Sequence, residues 1–147
     1  MAKLSIMLVE DNPDDDLLTL RELRKQNIAY EIIVMRDGAE ALDYLFVQGA
    51  HAERDVNDTP TLILLDLKLP KINGLEVLKR LRTDERTKNI PVTVLTSSDE
   101  EKDMVESYNL GANSYVRKPV DFDQFRDAVR QLQLYWMVLN EPPPTEI

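Results

Sequence analysis

A chain of 147 residues with 43% hydrophobic and 31% charged residues has the composition of one folded domain, too apolar for disorder and too charged for a membrane protein. It holds no cysteine and a single histidine, His51, which removes disulfides, thiolate chemistry and cysteine-ligated metals and argues against multi-histidine metal sites and Ser/His/Asp catalysis. With 27 acidic against 18 basic residues, a net charge of −9, a protein partner is expected and direct nucleic-acid binding is not.

Leu4 to Val9 is a nearly continuous apolar run that stops at Glu10-Asp11. Its length and character predict a strand buried on both faces, as in a parallel sheet covered by helices. Met1-Ala2-Lys3 leads directly into that strand rather than into a signal peptide, and no apolar run approaches the ~20 residues of a membrane span, so a cytoplasmic address is expected. Asn12 and Pro13 read as N-cap and first helical residue, and Asp14, Asp15 and Asp16 place negative charge where the helix dipole favours it. They are read as no more than that. Leu17, Leu20 and Leu23 form the predicted inward stripe of this first helix.

Glu31 to Met35 predicts the second strand, and Asp37 starts a helix carrying Ala41, Leu42 and Leu45. His51 to Pro60 is a polar connection, long for an alternating fold, and is placed on the surface with His51. Thr61 to Leu65 is the third strand and ends at Asp66; Asn73 starts a third helix with Leu75, Leu78 and Leu81. Pro91 to Leu95 is the fourth, ending at Thr96. Ser98 to Glu101 has the spacing of a capping box ahead of Met104, Val105 and Tyr108, with Gly111 ending that helix.

Asn113 to Val116 is the fifth strand and precedes Lys118-Pro119. A last helix runs from about Asp121 to Leu139. Plotted at ~100° per residue, Phe122, Phe125, Val129, Leu132, Trp136 and Leu139 should face the sheet, leaving Leu134, Met137 and Val138 as an outer apolar patch suited to association. Glu141-Pro142-Pro143-Pro144 cannot continue a helix. The expected division is a domain over 1–140 and a Pro-rich tail over 141–147.

Five alternations of strand and helix predict an α/β fold: a doubly wound five-stranded parallel sheet with five helices on its two faces. Ligands of such sheets bind outside the carboxyl ends of the strands, where strand order reverses. Glu10-Asp11, Asp66, Thr96 and Lys118 all stand at such ends. With an order of 2-1-3-4-5, three carboxyl groups meet at one point and repel one another. A hard divalent cation, Mg²⁺ above all, relieves that repulsion. Lys118 adds a positive charge and Thr96 a hydroxyl, the surroundings a phosphoryl group needs if Asp66 is its nucleophile.

Glu10-Asp11, Asp66-Leu67-Lys68-Leu69-Pro70, Gly74, Leu95-Thr96-Ser97 and Lys118-Pro119 stand in the order and spacing of response-regulator receiver domains, which the chain resembles over roughly 3–139. That resemblance implies the flavodoxin-like strand order 2-1-3-4-5. More narrowly, SYNLGANSYVRKPVDFDQF and the ending YWMVLNEPPP resemble single-domain regulators that partner phytochrome-type histidine kinases. The implied roles are Asp66 as phosphoacceptor and Asp11, Asp66 and the Lys68 backbone carbonyl as Mg²⁺ ligands, with Glu10 acting through metal-bound water.

The resemblance also pairs Lys118 with the phosphoryl oxygens and makes Thr96 and Tyr115 the switch residues. The Lys118-Pro119 bond is often cis in such proteins. A sensor histidine kinase is the implied partner, with a homodimer through helix four, strand five and helix five. With no output domain expected, output passes through another protein. Lys68 replaces the small or polar residue usual two places after the acceptor, so its side chain is expected to alter phosphate lifetime.

Activity is expected to be confined to the protein's own phosphorylation and dephosphorylation. The alternative, an aspartyl-phosphate phosphohydrolase, needs a second acid where Lys68 stands, and a cap domain. A flavin carrier needs a phosphate-cradling loop where Glu10-Asp11 would repel it.

Overall fold

The computed structural model describes residues 4–25, 30–119 and 121–142. Strands β1 (Ser5–Val9), β2 (Glu31–Met35), β3 (Leu62–Leu65), β4 (Val92–Thr96) and β5 (Ser114–Arg117) alternate with helices α1 (Pro13–Lys25), α2 (Gly38–Leu45), α3 (Gly74–Arg82), α4 (Glu101–Asn109) and α5 (Phe122–Leu134). All strand pairs are parallel, in the order β2-β1-β3-β4-β5. The expected doubly wound sheet is therefore observed, with strand limits differing by about one residue.

Alternation along the strands builds two cores. Met7, Val9, Ile63 and Leu65 face α2 and α3, where Ala41, Leu42, Leu45, Val77, Leu78 and Leu81 meet them. Ile6, Leu8, Leu62 and Leu64 face α1 and α5, against Leu23, Phe125, Val129 and Met137. Because both faces are covered, β1, β3 and β4 are buried throughout. Along these three strands polar residues can reach solvent only beyond the strand ends. Val9 pairs with Leu65, so Glu10 and Asp66 leave the sheet side by side; Lys118 N–H donates to Thr96 O at 2.7 Å, holding the other side of the same rim.

Several local expectations are corrected. Leu17 is 52% exposed, and the buried positions of α1 are Asp16, Thr19, Glu22 and Leu23. Ion pairs from Asp15 to Lys118 and from Asp16 to Arg36 turn the first helical turn toward the rim, which carries Leu17 outward. Ser98 is not the N-cap of α4. That position belongs to Glu100, while Ser98 is buried and its hydroxyl donates to Asp103 Oδ2 at 2.7 Å. Met104, Val105 and Tyr108 are exposed, and α4 fully buries only Ser107.

The last helix changes phase. After Leu134 it continues as a π-helix over Tyr135–Leu139, closed by Asn140 N–H to Tyr135 O at 2.7 Å. One π turn adds about one residue, rotating the later positions by roughly 100°. Met137, expected outside, is consequently buried, whereas Leu139, expected inside, is exposed. Phe122, also expected inside, is exposed at the start of α5, ahead of the π turn. Leu134 and Val138 remain exposed as expected. The connection after α2 contains a short 3-10 turn, Gly49–His51, whose His51 ring stacks edge-on against Tyr44. Lys118-Pro119 is trans, as are all described peptide bonds. The expected Pro-rich tail lies outside the described residues from position 143 onward. Among the described residues no helix is long and apolar enough to cross a membrane.

Candidate functional site

At the carboxyl rim of β1 and β3, Glu10, Asp11 and Asp66 each offer a carboxylate oxygen within 4.8 Å of the others. Glu10 and Asp66 are buried, 3% and 7% exposed, whereas Asp11 faces solvent. Asp66 Oδ1 accepts from Thr96 Oγ1 at 2.8 Å and from Lys68 N–H at 3.3 Å, and Oδ2 accepts from Lys118 Nζ at 3.2 Å. Glu10 Oε2 accepts from Asn12 N–H at 3.0 Å, and Oε1 is ion-paired with Lys118. The loop after Asp66 is pressed against the start of α3, where a Cβ on Gly74 would sit 2.3 Å from Asp66 O.

Lys118 holds a third carboxylate. Its Nζ donates to Asp15 Oδ2 at 2.8 Å, so its three N–H donors meet Glu10, Asp15 and Asp66. Burial alone would push the Lys118 ammonium down; hydrogen bonds to Asp15 and Glu10 and the charge of Asp66 override it and hold the group above its ordinary range. Burial pushes Glu10 up to about 7, and Asp66 adds to the rise, against the pull of Lys118 and Asn12 N–H. One ammonium cannot neutralise four carboxylates. The surplus charge and the all-oxygen donor set fit a hard divalent cation.

The five residues expected at strand ends, Glu10, Asp11, Asp66, Thr96 and Lys118, thus meet at one rim. Lys68 contributes its N–H to Asp66 while its side chain faces solvent. Tyr115 lies farther along the rim: its hydroxyl donates to Ser98 O at 3.1 Å, and Ser98 N–H reaches Thr96 Oγ1 at 3.4 Å. Reading Asp15 and Asp16 as dipole charges only is corrected. Asp15 joins the site, and Asp16 is buried against Arg36, burial raising its carboxyl and Arg36 opposing that rise. The signal was available: α1 begins two residues after Asp11, so side chains of its first turn overlie the same rim.

Residues 6–130 match the family model of the response regulator receiver domain. The chain belongs to this family. The receiver is 39% identical to response regulator Rcp1 of Synechocystis sp. over 132 residues, 90% of this chain and 88% of that protein. The Mn(2+)-bound form of Rcp1 superposes with a TM-score of 0.90 at 36% identity, covering 96% of this chain and 99% of the other. The phosphorylated cyanobacterial phytochrome response regulator RcpA gives 0.91 at 38% identity, with 97% and 100% covered. The bacteriophytochrome response regulator RtBRR is 53% identical, with a TM-score of 0.76 and 98% and 86% covered. The receiver is therefore a signalling protein of the two-component class, similar to phytochrome response regulators over nearly their whole length. Its acidic cluster suits a divalent metal.

Proposed function

We propose that the receiver takes a phosphoryl group from a phosphohistidine of a sensor histidine kinase onto Asp66. The observation that carries this reading is the set of groups around that one carboxylate: Thr96 Oγ1, Lys68 N–H and Lys118 Nζ on its oxygens, and Glu10 and Asp11 beside it. A carboxylate oxygen of Asp66 attacks phosphorus, the P–N bond to the donor imidazole breaks, and its electron pair returns to a nitrogen that regains a proton. Lys118 and Thr96 lie where charge on the transferring oxygens can be met.

Asp11, Asp66 and the Lys68 backbone carbonyl would hold Mg²⁺, with Glu10 acting through water. When bound, the ion supplies positive charge to the carboxylates and to the phosphoryl oxygens. Thr96 then shifts toward the phosphoryl group, and Tyr115 exchanges its bond to Ser98 O for an inward position, biasing α4 and β5 between two arrangements. The protein's own phosphorylation and dephosphorylation are the only chemistry assigned to it, and the Lys68 side chain alters the lifetime of the product.

Likeness to RcpA and RtBRR supports a phytochrome-type kinase as partner in the cytoplasm. Exposed Met104, Val105 and Tyr108 on α4 support a homodimer through α4, β5 and α5. The net charge of −9 supports signalling to proteins and not to nucleic acid. Residues 1–140 form the receiver, with 141–147 as its tail.

Incubation with phosphoramidate and Mg²⁺ followed by intact mass measurement tests the acceptor. One phosphoryl adduct is expected on the native chain and none on Asp66→Asn. An adduct that survives the substitution would place the acceptor elsewhere.

A further inference from the structure

We infer that Asp15 is a positioning residue for phosphoryl transfer: it occupies the N–H of Lys118 that an incoming phosphoryl oxygen must take. The inference rests on Asp66 being the acceptor and goes beyond it. A lysine ammonium has three donors and no acceptor. In this structure all three are in use, toward Glu10, Asp15 at 2.8 Å and Asp66 at 3.2 Å.

A phosphoryl group arrives with between one and two negative charges and three strong acceptor oxygens. Lys118 can meet it only by releasing a carboxylate. Glu10 is buried, and Asp66 is the reacting group. The Asp15 side chain is 29% exposed, so water can replace Lys118 there at the least cost. Asp15 also adds negative charge close to where the phosphoryl oxygens must come. It therefore holds the ammonium aimed at the rim in the resting protein and opposes entry of the phosphoryl group until the bond is handed over. Because Asp15 lies in the first turn of α1, a partner that displaces this turn would release Lys118.

The test compares Asp15→Asn with Asp14→Asn in the full chain. Both remove one charge from the same helical turn, but Asp14 is exposed and is not among the partners of Lys118. With phosphoramidate and Mg²⁺, Asp15→Asn is expected to raise the initial rate of adduct formation about three- to tenfold, the range for removing one like charge from a partly screened site, and Asp14→Asn to stay within about twofold of native. The ¹⁵N resonance of Lys118 Nζ should move in Asp15→Asn and not in Asp14→Asn, which a general loss of stability would not produce. Asp15→Ser gives the same comparison should Asn disturb the helix start.

Equal rates in native and Asp15→Asn, or equal acceleration by both substitutions, overturn the role of Asp15 while leaving Asp66 as acceptor. An adduct that persists in Asp66→Asn overturns the acceptor assignment, and the role of Asp15 with it.

Discussion

Thr96 Oγ1 and Asp66 Oδ1 are joined by a hydrogen bond of 2.8 Å across the ends of neighbouring strands. Thr96 is completely buried and Asp66 nearly so, so the bond stands in a low-dielectric setting where a charged acceptor gains most. Thr96→Val keeps the shape and removes the donor. We expect a loss of about 1–3 kcal/mol in urea unfolding, with the phosphoryl adduct still formed at Asp66. Loss of the adduct itself would mean that Thr96 is needed for transfer and not only for the state after it.

The pH dependence of stability should carry the mark of Glu10. Its carboxyl rises from 4.5 to about 7 in the fold, chiefly through burial. A group raised in this way favours the folded state fully below its unfolded value, and that contribution is lost as pH climbs through the folded value. In chelator-treated buffer, native stability should therefore fall relative to Glu10→Gln between about pH 4.5 and 7, by at most about 3 kcal/mol. Urea unfolding of both proteins across that range provides the measurement; a constant difference would show that Lys118 compensates Glu10 completely.

A divalent cation should reverse that loss. A cation held by the folded acidic cluster and not by the unfolded chain stabilises by mass action. Thermal melts at about pH 8, above the folded value of Glu10, are expected to shift upward on adding Mg²⁺ and to return with chelator. Asp11→Asn removes the exposed member of the cluster and should abolish most of the shift. Protons compete for Glu10, so the apparent affinity should weaken as pH falls below about 7.

Gly74 packs directly against the backbone of Asp66 and Leu67. A Cβ there would lie 2.3 Å from Asp66 O and 2.7 Å from Leu67 Cα, both backbone atoms that cannot swing aside. Gly74 N–H also donates to Leu67 O at 2.9 Å. Gly74→Ala should cost about 1–3 kcal/mol as an overpacked contact and slow phosphorylation by displacing Asp66. Native-like stability with unchanged phosphorylation kinetics would show that the loop after Asp66 yields freely.

The amino-acid sequence by itself determined the sheet and the composition of its rim. Apolar runs such as Leu4 to Val9 and Thr61 to Leu65 are local signals of buried strands, and the polar residue after each run, Glu10 or Asp66, marks a carboxyl end. The helix starts at Asp37, Asn73 and about Asp121 were equally legible, and in the structure each of these side chains accepts from backbone N–H groups two or three residues on. Tertiary structure alone decided how the helices turn on the sheet. Leu17 looks inward by periodicity and is exposed, because Asp15 and Asp16 bind Lys118 and Arg36, partners remote in the chain. Ser98 has cap spacing but gives its hydroxyl to Asp103. Met137 is buried only because a π turn adds a residue to the helix, a change with no local signature. Strand identity is written in neighbours along the chain, whereas helix rotation is set by contacts across the fold. That is why Glu10, Asp11 and Asp66 were read from the strand ends, yet only the folded chain showed that Asp15 shares Lys118.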